Sequence, residues 1–249
     1  MMNPGTDDFK SGVVAPVECL KEGWELIKDQ YWLFLGLTLV AMLIGGAVPI
    51  VLLGPMMVGI FLCLFRKMRG EPVEFGNLFK GFDYFVQGLI VTAIRMVPII
   101  VLMVFFYIIM FAVMVAVMPR GRGNPEEASG FVFTFFGIEM VFVVVLVVVS
   151  ILIETLLLFA FPLVADRNLS GLDAVKLSIK AGRANLGGVV GLLLLNAALG
   201  ILGVLCCFVG VYFVLPISFA SHAVAYRRVF PEIAPVLMSP PPPPPSSWA

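Results

Sequence analysis

The stretch YWLFLGLTLVAMLIGGAVPIVLLGPMMVGIFLCLF, from Tyr31 to Phe65, contains no charged residue over 35 positions. A helix needs about 20 apolar residues to cross a hydrocarbon core of about 30 Å. The stretch is therefore too long for one crossing and suits two short ones. Pro49 and the pair Gly54-Pro55 lie near its middle, where a tight turn would fall. We predict two helices separated by that turn, near 31–48 and 51–67.

The composition of the whole chain agrees with this local pattern. Of its 249 residues, 61% are hydrophobic and 13% are charged, and the mean hydropathy is +1.07. A chain this short cannot bury so much apolar side chain in one water-soluble core, because small domains keep a large surface fraction. The formal net charge of zero gives no electrostatic field for nucleic acid. The composition therefore excludes an ordinary cytosolic enzyme, a disordered protein and a nucleic-acid binder, and it predicts a protein dissolved in lipid.

Further apolar runs predict six membrane-spanning helices, with five or seven as the alternatives. The 43 residues from Ala184 to Tyr226 are uncharged, which gives about 65 Å of helix and two crossings with a turn near 203–210. The predicted fold class is an all-α, polytopic integral membrane bundle with amphipathic helices at the cytoplasmic interface. Its six spans are expected near 31–48, 51–67, 96–118, 131–164, 186–204 and 208–226.

The distribution of Lys and Arg predicts the orientation. Short cytoplasmic loops of membrane proteins carry most of these residues. With six spans and an inner N-terminus, the inner segments hold 13 of the 16 basic residues, and the outer loops hold only Arg120 and Arg122. We therefore expect a multi-pass protein of the plasma (inner) membrane with both termini in the cytoplasm. Residues 1–30 lack the pattern of a cleaved signal peptide, so we expect this segment to be retained.

Three amphipathic segments with Lys or Arg lead into apolar runs, and they begin at Pro16, Val73 and Leu172. In the first of them, helical spacing places four apolar residues on one face, namely Val17, Leu20, Trp24 and Ile27. Such segments either lie in the headgroup plane or extend the spanning helices into the cytoplasm. The C-terminal segment 229–249 contains Ser239 followed by six prolines. It is expected to be a disordered cytoplasmic tail, either solvated or bound by a proline-recognition partner.

Ionisable residues inside the predicted spans are candidate functional groups, because they are costly in lipid. They are Glu139, Glu154 and, at the edge of the third span, Arg95. Arg95 and Glu154 should lie at similar depth, so we predict an ion pair between their helices. One interpretation is a proton or ion relay through all three residues. The other is a pair that fixes the packing of two helices, with Glu139 reaching the outer interface.

Two further polar residues of the predicted spans are candidates. His222, near the inner end of the last span, would act as a proton shuttle, hydrogen-bond to a neighbouring helix or face the headgroups. Asn196 is predicted to hydrogen-bond to another helix. Cys206-Cys207, at the turn between the last two spans, would serve in redox chemistry or lipidation, or as small buried hydrophobic residues, and we favour the last of these.

The sequence offers no pattern for a cofactor, a metal ion or an enzyme. One His and four Cys without ligand spacing do not make a metal site. No nucleophile elbow, phosphate-binding loop or zinc-protease motif is present, and the cytoplasmic loops, about 20 residues each, are too short for a catalytic domain. We therefore expect a non-enzymatic protein with neither a cofactor nor a catalytic residue.

Several short motifs give the chain a family likeness. They are Gly54-Pro55 with Gly59, Arg66 to Gly70, Leu78-Phe79-Lys80-Gly81-Phe82, Phe161-Pro162-Leu163-Val164-Ala165-Asp166, and Asn185. In these motifs the chain, over about residues 16–230, resembles bacterial multi-pass membrane proteins of unknown function, loosely related to the membrane domain fused to glycerophosphodiester phosphodiesterases. The resemblance implies a six-helix bundle in the plasma membrane. It supplies no catalytic residues, because the phosphodiesterase activity belongs to a soluble domain that has no counterpart in this sequence.

Two functions follow from these features. The first is a non-enzymatic scaffold or assembly component, whose partners are the lipid bilayer and either a second copy or another membrane protein. The second is a small transporter or permease subunit for an unknown small molecule, with Glu139, Glu154 and Arg95 lining a polar path. A water-filled cavity reaching the two glutamates would favour transport, and a dry interior would favour the scaffold.

Overall fold

The computed structural model describes residues 9–117, 125–206 and 209–232, and every regular element in these ranges is helical. Short 3₁₀ turns at 28–30 and 80–84 lead into the second and fifth helices. The predicted proline-rich tail beyond 232, the basic residues Arg120 and Arg122, and Cys207 lie outside the described residues. The helices are α1 Pro16–Ile27, α2 Tyr31–Ala47, α3 Leu53–Met68, α4 Gly76–Phe79, α5 Phe85–Val117, α6 Pro125–Leu157, α7 Ala160–Arg167, α8 Gly171–Ala184, α9 Leu186–Leu205 and α10 Val209–Val229.

Five helical stretches are long and apolar enough to cross a membrane, judged by length and composition. They confirm the prediction of an all-helical protein that is suited to a bilayer. The predicted second span, near 51–67, corresponds to α3, which is 16 residues or about 24 Å long and is not one of the five. The five stretches are Pro16–Ala47, Gly76–Val115, Phe133–Arg167, Leu186–Leu205 and Val209–Val229.

The stretch Phe133–Arg167 covers most of the predicted span 131–164, and it is interrupted where α6 ends and α7 begins. The backbone N–H of Phe159 donates to Ser178 Oγ at 3.2 Å, and the Ser178 hydroxyl donates to the Leu156 carbonyl at 2.8 Å. A break in a helix frees backbone groups that must find other partners when they are buried. The hydroxyl group of Ser178, on α8, bonds to both freed backbone groups and so stabilises the break between α6 and α7. Helix α5 is continuous and contains the predicted third span, near 96–118, as far as the described residues extend.

Helix α3 is the centre of the packed core. Ten of its 16 residues are buried, and it packs against α2, α5, α7 and the segment 76–84. Phe65, near its C-terminal end, joins an aromatic cluster with Phe159, Tyr226 and Phe230. The core therefore contains side chains from segments that are far apart in the sequence.

Glycines let α3 approach the segment 76–84 at backbone distance. A Cβ atom on Gly59 would lie 2.1 Å from the Leu78 carbonyl oxygen, and one on Gly81 would lie 2.0 Å from the Pro55 carbonyl oxygen. Real Cβ atoms do not come this close to another atom. The motifs around Gly59 and Gly81 thus have a packing role, because only glycine fits where the two segments meet.

The distal parts of α5 and α6, residues 97–115 and 133–152, form a projection that we call the outer hairpin. Most of its large apolar side chains are exposed, while Met110 and Phe142 are buried. The Phe106 and Phe142 rings stack with their centroids 3.5 Å apart, which joins the two helices. An apolar surface of this extent is unusual on a water-soluble monomer, and it is explained if lipid covers it.

Helix α1 packs along α10 through Cys19, Gly23 and Ile27, which are buried. Of the four residues predicted to share an apolar face, Ile27 is buried, whereas Val17 and Trp24 are exposed. The reason is close packing, since a Cβ atom on Gly23 would lie 2.7 Å from a backbone nitrogen of α10. A small residue, not a large apolar one, decides which face of α1 meets its neighbour.

Candidate functional site

The ion pair predicted between the two hairpin helices is present. An Arg95 guanidinium nitrogen on α5 donates to Glu154 Oε1 on α6, and the side chains are 25% and 31% exposed. The Arg95 guanidinium also lies 5.9 Å from the centre of the Phe161 ring on α7. This pair joins α5 and α6 where the outer hairpin leaves the packed core.

Replacing Glu154 with glutamine and Arg95 with methionine should give losses of stability that do not add. Each single change leaves the other charge without its partner, so the double variant should lose about 1–3 kcal/mol less than the sum of the single losses. The free energy of unfolding, measured by denaturant titration in detergent micelles, would show this coupling. Strictly additive losses would mean that the pair contributes nothing to stability.

Glu139 does not join this pair. Both glutamates lie on the continuous helix α6, 15 residues or about 22 Å apart. The contact that the structure gives to the Glu139 carboxylate comes from α5, where the Tyr107 hydroxyl lies 3.5 Å from Oε1. The three ionisable candidates therefore form two separate groups along the hairpin.

Asn196 and His222 lie on the last two helices. The Asn196 amide donates to Ser221 Oγ on α10 at 3.2 Å, which confirms the predicted bond between helices. His222 is the next residue after Ser221 on α10. Within the described residues, His222 Nε2 and Asn196 Oδ1 are buried without a hydrogen-bond partner. The helix pair α9–α10 thus holds two buried polar atoms with unused bonding capacity.

One polar network among the described residues, centred on Asp166, was not predicted from the sequence. Arg227 on α10 donates to both carboxylate oxygens of Asp166 on α7, at 2.7 and 3.0 Å, and the two side chains are 14% and 15% exposed. The Tyr226 hydroxyl donates to the same carboxylate at 2.8 Å. The Arg227 guanidinium also lies over the Phe65 ring, 4.6 Å from its centre. This network fastens the end of α10 to α7 and α3.

A second set of charged contacts joins α10 to α1. Arg228 donates to Glu18 at 2.8 Å and to Glu22 at 2.7 Å, and both carboxylates are exposed. Asn185, between α8 and α9, accepts from the Val13 N–H and donates to the Lys10 carbonyl. These contacts hold the N-terminal segment against the bundle.

The cysteines have no common site in the described part of the chain. Cys19 and Cys63 are buried, but Cys206 is exposed at the end of α9, so the prediction that it is a buried hydrophobic residue is wrong. The α9–α10 turn brings Gly203 and Gly210 into close contact, and Cys206 stands at the edge of that contact, since a Cβ atom on Gly210 would lie 3.0 Å from the Cys206 Cβ atom. Among the described residues, no group of three or more His, Cys, Asp or Glu side chains could hold a metal ion.

The fold and these contacts define a helical protein with several helices that could cross a membrane. The chain is 35% identical over 71 residues to uncharacterised proteins of Mycobacterium bovis and Mycobacterium tuberculosis. The match covers 28% of this chain and 22% of the length of those relatives. No family profile and no solved structure matches the chain.

Proposed function

We propose that this chain is a six-span protein of the plasma membrane that acts as a non-enzymatic scaffold or assembly component. The observation that supports this function is that polar side chains of the long helices bond to one another within the chain. Arg95 is paired with Glu154, and Asn196 bonds to Ser221. Groups that bind one another within the chain are suited to fixing helix positions more than to passing a solute.

The proposal counts α3 as the sixth span. It forms an antiparallel hairpin with α2, since Gly45 contacts Leu53 near the turn and Lys67 pairs with Asp29 at the other end. A helix that is mostly surrounded by protein need not be as long or as apolar as one that faces lipid. The burial of α3 therefore makes its 16 residues compatible with a crossing.

Labelling of single cysteines in intact cells tests this topology. In a background without reactive native thiols, we expect Val51→Cys and Gly130→Cys to react with a membrane-impermeant maleimide added from outside. Asp83→Cys should react only after the membrane is made permeable. External labelling at position 83 would overturn the orientation, and protection of position 51 from the outside would remove α3 as a crossing helix.

The scaffold function predicts a stable complex and no solute flux. Cross-linking in native membranes should give one defined complex larger than the single chain. Purified protein in liposomes that enclose a pH-sensitive dye should leave proton flux equal to that of protein-free liposomes. Proton flux that Glu154→Gln abolishes, or the absence of any complex, would contradict the scaffold.

Transport is the second candidate function, and the buried atoms of α9–α10 favour it. Asn196 Oδ1 and His222 Nε2, unpartnered among the described residues, could bind a polar solute or a chain of water. If a polar path exists there, Asn196→Leu should reduce proton flux in the liposome measurement at least as strongly as Glu154→Gln. Equal flux in both variants and in the wild type would count against that path.

A further inference from the structure

Helix α8 lies across the base of the outer hairpin, where it packs on both α5 and α6. At its first residue, Gly171, an added Cβ atom would lie 2.8 Å from the Gln87 carbonyl oxygen on α5. Near its other end, a Cβ atom on Gly182 would lie 2.6 Å from the Thr155 carbonyl oxygen on α6. Helix α8 is therefore held against the backbones of both long helices, which fixes its position along the hairpin.

This position is just beyond the level at which the apolar surface of the outer hairpin ends. The contact at Thr155 follows Leu152 by three residues, and the contact at Gln87 precedes Val97 by ten, which is about 5 and 15 Å of helix. The headgroup layer on each side of a bilayer core is about 5–8 Å thick. When the hairpin is embedded, α8 thus reaches the headgroups of one leaflet, and the candidate span Leu186–Leu205 starts directly after it.

The exposed face of α8 carries a row of basic side chains that we call the basic stripe. Its members are Lys176, Lys180 and Arg183, which are all exposed, and their spacing of four and three residues places them on one side of the helix. The acidic residue of α8 is Asp173, whose carboxylate lies 3.8 Å from Lys176 Nζ. Among the residues that the structure describes, Lys180 and Arg183 form no ion pair. The stripe therefore keeps positive charge that the folded chain does not neutralise.

An exposed leucine lies at each end of the basic stripe. Leu172, four residues before Lys176, is 53% exposed, and Leu186, three residues after Arg183, is 48% exposed. Basic side chains flanked by exposed apolar ones are typical of a helix in the membrane interface, where the apolar groups enter the acyl boundary and the cations reach the phosphates. The composition of this face therefore suits a lipid surface in charge and in hydrophobicity.

We propose that the basic stripe of α8 binds the phosphate groups of anionic phospholipids in the adjoining leaflet, which is the cytoplasmic one in the topology given above. Lys and Arg near a membrane surface are attracted to anionic lipids. A free phosphate offers the same charge, but it has no acyl chain for the exposed leucines to contact. This inference rests on the proposed membrane embedding, and it holds for a scaffold and for a transporter alike.

Native mass spectrometry of the full-length protein in detergent micelles, titrated with phosphatidylglycerol or phosphatidylcholine, tests this preference. The wild type should bind phosphatidylglycerol about tenfold or more tightly, since each basic residue near an anionic surface contributes about fivefold. The triple variant Lys176→Gln, Lys180→Gln, Arg183→Gln should lose that preference. The triple variant Lys176→Arg, Lys180→Arg, Arg183→Lys keeps the charge and should bind as the wild type does, which separates loss of charge from failure to fold.

Three lysines of the N-terminal segment provide the matched control. Lys10, Lys21 and Lys28 are exposed, and replacing all three with glutamine removes as much charge as the glutamine variant of the stripe. Helix α1 carries three glutamates and one lysine, so this part of the chain offers no excess of positive charge to a phosphate. The control variant should change the preference for phosphatidylglycerol by less than about twofold.

Three results would overturn the proposal. They are a wild type without preference for phosphatidylglycerol, equal losses in the stripe and control variants, and displacement of the lipid by an equal concentration of glycerol phosphate. Alkaline extraction of native membranes separates these results from a failure of membrane embedding. A protein that alkali releases contradicts the embedding itself, whereas a protein that stays in the membrane and shows no lipid preference contradicts only the role of the basic stripe.

Discussion

Replacing Arg227 with methionine should lower the free energy of unfolding by about 2–3 kcal/mol, because the change leaves a largely enclosed carboxylate without its charged partner. Asp166 is 15% exposed, and Arg227 supplies two of its hydrogen bonds. The Tyr226 hydroxyl remains as a donor, but it cannot neutralise the charge. Denaturant titration in detergent micelles would measure the loss, and Asp166→Asn should cost a similar amount.

The neighbouring residue supplies the matched control for this prediction. Arg228→Met removes an arginine from the same turn of α10, but its partners Glu18 and Glu22 are exposed and remain solvated. Surface ion pairs contribute about 0–1 kcal/mol, so this variant should stay close to the wild type. Equal losses at positions 227 and 228 would show that burial of the Asp166 pair is not what stabilises this end of the molecule.

The sequence was sufficient to predict features that depend on long apolar runs. A charged pair in such a run has few alternatives to pairing, which is why Arg95 and Glu154 could be matched from their depth alone. The same reasoning found the turn between α9 and α10, because 43 uncharged residues exceed one crossing. In both cases the bilayer limits the possible partners of a charge and the possible length of a helix more strongly than a water-soluble core would.

The network around Asp166 could not be predicted in this way. Asp166 and Arg227 are 61 residues apart, and each stands beside other charged residues at the end of an apolar run. At such an end, water is an available partner, so depth does not select one pairing over another. The pairing of Arg227 with Asp166 follows from the close packing of α7, α10 and α3. The contact of Arg227 with Phe65 on α3 is part of that packing.

The face of α1 could not be predicted for a related reason. Hydrophobic periodicity favours large apolar residues such as Val17 and Trp24, which suit lipid or headgroups as well as a protein core. Burial at Gly23 depends instead on the close approach of the α10 backbone. Small residues at helix contacts carry no hydropathy signal, so a periodicity argument misses them.

Gly59→Ala and Gly81→Ala should each destabilise the protein by about 3 kcal/mol or more, at the upper end of the cost of overpacking. The added methyl group would lie 2.1 Å from the Leu78 carbonyl oxygen in the first variant and 2.0 Å from the Pro55 carbonyl oxygen in the second. Both obstacles are backbone atoms, which cannot rotate away as a side chain can. The segment 76–84 would have to move away from α3, and the core would lose contacts along that whole segment.

Gly200→Ala is the matched control, since a Cβ atom at this position within α9 meets nothing within 4 Å. Alanine is the better helix former, so this variant should be unchanged or gain up to about 1 kcal/mol. Gly59→Ala and Gly81→Ala should have a lower melting temperature in detergent and a lower free energy of unfolding than Gly200→Ala. A Gly59→Ala protein as stable as Gly200→Ala would mean that α3 and the segment 76–84 are further apart in the membrane, and the central position of α3 would then be wrong. The comparison therefore tests the geometry of the core at its tightest contact, independently of what the protein binds.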